Sequence, residues 1–365
     1  MDSLQHWFKR TALLLLTIVL CYGLCPPVWS TPLLPEVAVL PTGNAVKDGS
    51  SILRFSLPID EPYIRDIQNA LEGTTPQIRG KRWPEIRKGI GKAMKILDKH
   101  RSDILAAIPD DRQADAAVWL DEIAQGLGEL QAVVDTKDID QFNALRKPIA
   151  EQIGGVEAAM VTKFPFAIPT EYQDLPQLKG RATIEIKTNK GDMTIEVDGY
   201  SAPITAGNFV DLVQRKFYDG LKFTRAEESY VVQTGDPDGP DAGFIDPQTG
   251  EYRAIPLEIL VKGDSEPLYG ITMEDAGLYL KEPVLTFSSY GTVAMARPGD
   301  DPNGGSSQFF FLLFEPELTP AGSNLLDGRY AVFGYVIAGQ EVLGTITPGD
   351  VIESARVLRG AENLV

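Results

Sequence analysis

Side chains able to act as nucleophiles or metal ligands are scarce in this chain. Its two cysteines, Cys21 and Cys25, lie in an apolar N-terminal stretch, and its two histidines are His6, just ahead of that stretch, and His100. With the stretch removed, the mature chain keeps no thiol and one imidazole. That excludes disulfides, thiol catalysis and cysteine-based metal sites, and it makes a Ser-His-Asp triad or a multi-histidine centre hard to build. His100 sits between Lys99 and Arg101 on a helical pattern and reads as an ordinary solvated residue. The chemistry must come from other residue types, and three blocks concentrate them. The first is Phe223-Thr224-Arg225, then Tyr230-Val231-Val232-Gln233-Thr234-Gly235-Asp236. The second is Gly291-Thr292-Val293-Ala294-Met295-Ala296-Arg297, then Ser307-Gln308-Phe309-Phe310-Phe311. The third is Leu325-Leu326-Asp327-Gly328-Arg329-Tyr330-Ala331-Val332-Phe333-Gly334.

With Ala202-Pro203-Ile204-Thr205-Ala206-Gly207-Asn208-Phe209 upstream, these blocks resemble the cyclophilin family of peptidyl-prolyl cis/trans isomerases in composition, order and approximate spacing, from about Arg181 to Arg359. Prolyl isomerisation also explains why such residues suffice. Its barrier of about 18–20 kcal/mol comes from partial double-bond character, so no bond need break. A guanidinium donating to the prolyl nitrogen favours the twisted state, while an apolar slot holds the ring and polar groups grip the flanking peptide. The resemblance assigns Arg225 as the catalytic arginine. It places Tyr230, Val231, Phe310 and Leu326 around the proline ring, makes Gln233 and Gln308 peptide-gripping amides, and puts Ala296 where backbone meets substrate. Arg297, Leu325 and Tyr330 complete the expected substrate-binding set. No cofactor or metal is implied.

The chain departs from the family pattern in several places. Tyr230 and Val231 stand where eukaryotic members usually carry Phe and Met, Arg297 replaces a common Asn, and Tyr330 replaces a frequent His. The last two changes resemble bacterial-type members. Leu325 holds the position of the tryptophan associated with cyclosporin binding, which argues against strong inhibition by that drug. Residues 237–290 exceed a minimal cyclophilin and suggest an extra loop beside the groove.

The elements expected to position these residues fall into two sets. Asp60 is placed to cap a short helix with apolar side Ile64, Ile67 and Leu71, ending at the Gly73-Thr74-Thr75-Pro76 turn. A second helix starts around Pro84 and carries Ile86, Ile90, Met94, Leu97, Ile104 and Ile108. Asp110 with Gln113, and Asp138 with Gln141, have capping-box spacing for a third helix (Leu120, Ile123, Leu127, Leu130, Val134) and a fourth (Phe142, Leu145, Ile149, Ile153, Val156, Met160). One apolar stripe per helix and short connections predict an antiparallel helical bundle over 31–163. Prolines 165, 169 and 176 with Gly180 mark a linker at 164–180. Beyond it the period becomes two: Ala182, Ile184, Ile186 and Met193, Ile195, Val197 flank Asn189-Lys190-Gly191, a hairpin signal. Further strand-like runs, with helices only near 206–215 and 340–346, predict a closed antiparallel β-barrel capped by two helices over 181–365. The fold class is α+β, multidomain.

Net charge is −17, which argues against nucleic-acid binding. Residues 31–170 carry about −3 and 171–365 about −15. Within the first set, Arg79, Lys81, Arg82, Arg87, Lys88, Lys92, Lys95 and Lys99 form a basic run. This is either a solvated helix face or a surface that docks an acidic partner such as the second half and partly masks its groove. Residues 1–30 combine Lys9 and Arg10, an apolar stretch from Ala12 to Leu24, and Pro26, Pro27, Val28 and Ser30. They read as a cleaved signal peptide that leaves no stable membrane span. A signal, a helical half and a C-terminal cyclophilin together resemble the large thylakoid-lumen cyclophilins of cyanobacteria and chloroplasts. That resemblance implies export to the thylakoid lumen, with the periplasm as alternative. It also implies proline-containing polypeptide clients, photosystem II subunits or assembly intermediates among them, and a part in photosystem II assembly or repair. The competing reading is a non-catalytic chaperone or assembly scaffold that uses groove and bundle to hold partners.

Overall fold

The computed structural model describes residues 46–240, 242–314 and 324–365, so the signal peptide expected at 1–30 lies outside the described residues. The described residues, from Val46 onward, form one compact unit.

Among the described residues six helices come first: α1 (Gly49–Ser56), α2 (Pro62–Glu72), α3 (Thr74–Arg79), α4 (Trp83–Ala106), α5 (Gln113–Thr136) and α6 (Ile139–Met160). The expected stripes are where the helices meet: Ile64, Ile67, Ile86, Ile90, Leu120, Ile123, Leu127, Leu130, Phe142, Ile153 and Val156 are all buried in one cluster. The short connections between α4, α5 and α6 make these packed neighbours antiparallel. Met94, assigned to the stripe, is instead 36% exposed. Two of the expected caps also differ. Glu61, not Asp60, caps α2, accepting Tyr63 N–H and Ile64 N–H. The Asp110 carboxylate receives only the Gln113 side-chain amide, at 3.2 Å, and Arg112 is the residue preceding α5. Asp138 does cap α6, accepting Gln141 N–H at 2.9 Å. The Gly73-Thr74-Thr75-Pro76 segment, expected as a simple turn, instead opens α3.

The second half begins with the expected hairpin, β1 (Arg181–Thr188) and β2 (Gly191–Asp198), paired from Arg181–Asp198 to Thr188–Gly191. Then follow α7 (Pro203–Gln214), β3 (Arg225–Glu227), β4 (Val231–Thr234), β5 (Glu258–Ile259), β6 (Leu268–Tyr269), β7 (Thr292–Met295), β8 (Phe309–Leu312), β9 (Val332–Ala338), the short α8 (Gln340–Leu343) and β10 (Ile352–Arg359). Eight strands run in the order β10-β1-β2-β9-β7-β8-β4-β3, all antiparallel. The expectation of a closed barrel is corrected here: the sheet is an open, curled half-barrel with β10 and β3 as its edges. Among the described residues, a single bridge, Lys222 to Val351, and its flanking backbone hydrogen bonds join those ends. That join is made by the residues just before β3 and those at the start of β10, not by a ladder between the two edge strands.

Strand alternation divides the side chains. Val293, Met295, Phe309, Phe311 and Phe333 point inward to the main core with Phe209 of α7. Val231, Ala294, Phe310, Leu312, Val332 and Tyr335 point outward into a second cluster. Residues 237–290 are no peripheral loop. Phe244, Ile255, Leu257, Ile259, Val261 and Met273 enter the main core, and Leu285 and Phe287 the outer cluster.

The helical region meets the sheet through α1. Ile52 and Leu53 join the outer cluster, and a Cβ on Gly49 would lie 2.6 Å from Tyr335 Cβ, so the helix backbone rests directly on β9. Arg181 ties the seam, donating to Asp198 Oδ1 at 3.2 Å, to Ser56 Oγ at 2.9 Å and to the Leu53 carbonyl. Ser56 Oγ in turn donates to Asp198 Oδ2 at 2.7 Å. In the basic run, Arg87 pairs with Asp135 and Lys92 with Asp66, both inside the helical region.

Candidate functional site

The strand register places the expected polar and aromatic residues in one row. Arg225 on β3 is opposite Gln233 on β4, Gln233 is opposite Phe310 on β8, and Phe310 is opposite Ala294 on β7. Directly paired residues share a face, so all four side chains emerge on the outer surface. With strands about 4.8 Å apart, the arginine and the phenylalanine start roughly 10 Å from each other.

At one end of the row, Arg225 is 45% exposed in its side chain and donates from Nε to Glu227 Oε1 at 2.6 Å. Its guanidinium lies 5.7 Å from the centre of the Tyr230 ring. The Glu227 carboxylate raises the guanidinium above its already high value, so it is charged throughout the working pH range. Its Nη groups have no protein acceptor among the described residues and are available to a ligand. In the middle, Gln233 Nε2 donates to Gln308 Oε1 at 2.8 Å, and Gln308 Nε2 donates to Asp236 Oδ1 and to the Ala242 carbonyl, both at 2.9 Å. These bonds hold the two amides side by side and leave the Gln233 carbonyl oxygen free to accept.

At the apolar end Phe310 is 5% exposed, next to buried Val231. The Tyr330 ring meets it edge-on at 5.4 Å and 89°, and half-buried Leu326 packs on the same cluster. Arg297 caps Tyr330 at 5.2 Å and spends its hydrogen bonds on carbonyls, those of Arg329 at 2.9 and 3.1 Å and of Pro298 at 2.8 Å. Ala296, just past β7, is half-buried and donates its N–H to the Gln308 carbonyl at 2.9 Å. Ten of the eleven expected residues therefore converge on one stretch of surface. Leu325 does not pack on it: the side chain is 83% exposed and belongs to neither cluster.

The family model for cyclophilin type peptidyl-prolyl cis-trans isomerases matches residues 183–361, and a second model, the PsbQ-like domain of CYP38-like peptidyl-prolyl cis-trans isomerases, matches residues 48–161. A Synechocystis protein named as a thylakoid lumen peptidyl-prolyl cis-trans isomerase is 56% identical over 363 residues, covering 99% of this chain and 96% of its own length. The chain belongs to the cyclophilin-type isomerase family. Two Arabidopsis thaliana chloroplast cyclophilins extend the likeness: CYP38, 42% identical over 92% of this chain and 79% of its own length, and CYP37, 31% identical over 90% and 74%.

Sequence reasoning missed the residues that back this cyclophilin surface. Phe287 stacks parallel on Phe310, centroids 5.9 Å apart and planes within 7°. Its N–H donates to Asp327 Oδ1 at 2.8 Å, and its carbonyl accepts from Asn324 Nδ2 at 3.2 Å. Burial pushes the Asp327 carboxyl up to about 6 against the opposing effect of the Phe287 N–H. The aspartate lay inside a quoted block, but Phe287 carried no signal beyond being an aromatic in Thr286-Phe287-Ser288.

Proposed function

We propose that this protein is a peptidyl-prolyl cis-trans isomerase in which Arg225 acts on the prolyl amide, Phe310, Val231, Tyr230, Leu326 and Tyr330 receive the ring, and Gln233, Gln308, Ala296 and Arg297 line the path of the flanking peptide. The observation that carries this reading is the row Arg225, Gln233, Phe310, a fixed charge and an apolar floor about two strands apart on one exposed face. A peptide lying across β4 puts its proline on Phe310 and the amide preceding it toward the Arg225 Nη groups. Twisting that amide localises the nitrogen lone pair, which the charged donors stabilise more than the planar ground state. Because the donors are fixed before the substrate arrives, little reorganisation accompanies the step.

Exchange NMR on a proline tetrapeptide tests it. The full mature chain should accelerate cis/trans exchange and Arg225→Ala should abolish most of the effect; equal rates for the two would reject the assignment. A holding function without turnover is favoured by one feature, the 5% exposure of Phe310, which leaves its slot shallow. Binding of the peptide with no acceleration would select that second reading.

The place of action follows from the relatives named above. We infer residence in the thylakoid lumen, reached through the N-terminal signal, and clients that include photosystem II subunits or assembly intermediates. The PsbQ-like match of the helical region supports this. Fractionation of native cells with a tagged copy, followed by co-purification of photosystem II subunits, tests both; recovery only from the periplasm would overturn the location. No described helix is long and apolar enough to cross a membrane.

A further inference from the structure

The floor and one wall of the slot are fastened to each other by a segment outside the row. Residues 284–288 run behind Phe310 as a strap. Its Phe287 ring supports the Phe310 ring from beneath, and its Phe287 N–H and carbonyl are bonded to Asp327 and Asn324, which belong to the turn that carries Leu326 and leads to Tyr330. Asn324 Oδ1 also accepts Leu326 N–H at 3.0 Å, and Tyr330 N–H returns to the Leu326 carbonyl at 3.3 Å. The strap is gripped at its other side as well. Tyr335 Oη donates to the Thr286 carbonyl at 2.9 Å and Ser288 Oγ to the Val46 carbonyl at 2.8 Å. Asp327 Oδ2 is buried and has no partner. Such a carboxylate is costly to bury, and it is held by two backbone N–H groups, that of Phe287 on the strap and that of Asn324 in its own turn.

We propose that Asp327 and Phe287 are positioning residues for the isomerase. By holding the Phe287 amide, the Asp327 carboxylate fixes the strap under Phe310 and so sets the gap between that ring and the Leu326–Tyr330 wall. This deepens the reading given above and rests on it. The mechanism makes the slot pH-sensitive. An ionised carboxylate accepts an N–H about twice as strongly as a neutral acid does, and Asp327 gains its proton near pH 6. The charged groups that act on it are Glu282 and Lys262, paired with each other at 2.6 Å; the Tyr335 hydroxyl adds a neutral neighbour. Acid therefore loosens the strap. Because the folded-state value is raised, the same protonation favours the folded state. Substrate affinity and stability should then move in opposite directions as pH falls.

The test is exchange NMR on a proline tetrapeptide at pH 5.0 to 7.5 with the full mature chain, a method that needs no coupling protease. In the wild type, KM should rise about five-fold from pH 7.5 to 5.0 with kcat nearly unchanged. Asp327→Asn should show the acid-limb KM at every pH and no step near 6. Phe287→Leu, which keeps the N–H and removes the ring, should raise KM by a similar factor at both ends. An Asp327→Asn variant with wild-type KM at pH 7.5, or one that retains the step, would overturn the proposal. If that variant does not fold, amide exchange in the wild type decides. The Phe287 N–H should lose protection below pH 6 relative to the Gly291 N–H, and parallel behaviour of the two would overturn it. Arg225→Ala run alongside reports separately on the isomerase reading, since the amide-exchange measurement on Phe287 requires no turnover.

Discussion

Glu258 offers a sharp test of how residues 237–290 are built into the fold. It is 1% exposed on β5, and its carboxylate accepts N–H bonds from Ile204 and Thr205 and an O–H bond from Thr205, at 2.9 to 3.0 Å, at the start of α7. A negative charge suits a helix N-terminus. Burial nonetheless outweighs those donors and pushes the carboxyl from 4.5 up to about 7. At 1.36 kcal/mol per pH unit, the ionised form then costs the folded state about 3 kcal/mol above pH 7. The sign is fixed by linkage: between 4.5 and 7 the folded chain holds a proton that the unfolded chain has released, so stability falls as pH rises through this window. From pH 8 to pH 5 the gain from this one group is about 2–3 kcal/mol, or roughly 5 °C in Tm for a chain of this size. Glu258→Gln keeps a carbonyl acceptor and cannot ionise. Melting curves followed by near-ultraviolet circular dichroism at pH 5, 6, 7 and 8 should show Tm climbing with acid in the wild type. The slope should be flatter in the variant, with residual contributions of the same sign from Glu157, also raised by burial to about 7, and from Asp327, raised to about 6. Identical slopes in the two proteins would refute the reasoning.

Other perturbations have equally definite outcomes. Arg225→Ala should lower kcat/KM about a hundred-fold, and Arg225→Lys should restore little of it, because a point charge cannot present the planar fork; peptide exchange rates read both. Arg181→Met leaves Asp198, fully buried, without its cation and should cost about 3–5 kcal/mol in urea unfolding. Gly49→Val drives side-chain atoms into Tyr335 and should cost about 1–3 kcal/mol in the same assay.

The parts of this fold that were readable in the sequence are those whose spacing repeats. Ile86, Ile90 and Leu97, or Leu120, Ile123, Leu127 and Leu130, mark a buried helical stripe whatever they pack against, and Asn189-Lys190 between two alternating runs can hardly be other than a hairpin. The candidate site residues came from a different source, blocks that resemble a family's motifs in order, and the strand register aligns three of them, Arg225, Gln233 and Phe310. Features that depend on tertiary partners were not legible. Helix α1 is eight residues long with two buried apolar side chains, Ile52 and Leu53, whose meaning is supplied by β9. Asp60 and Glu61 are adjacent acids, and the choice of Glu61 as cap follows from which carboxylate can reach the Ile64 N–H. The stack of Phe287 on Phe310 joins residues 23 apart in sequence through no repeating pattern.

The half-barrel also explains why a helical segment is attached where it is. A curled sheet with an apolar outer face must cover that face or leave it to solvent. Here the cover is divided. Helix α1 lies over Tyr335 on β9, the strap with Leu285 and Phe287 lies over the middle, and the turn bearing Leu326 and Tyr330 lies beside Phe310. What remains, among the described residues, is the strip from Arg225 through Gln233 to the edge of Phe310, where charged, amide and aromatic groups adjoin. The slot is thus a boundary of the packing rather than a cavity in it. Loss of α1 should be felt at Phe310 through Tyr335 and Thr286, although neither Ile52 nor Leu53 belongs to the row.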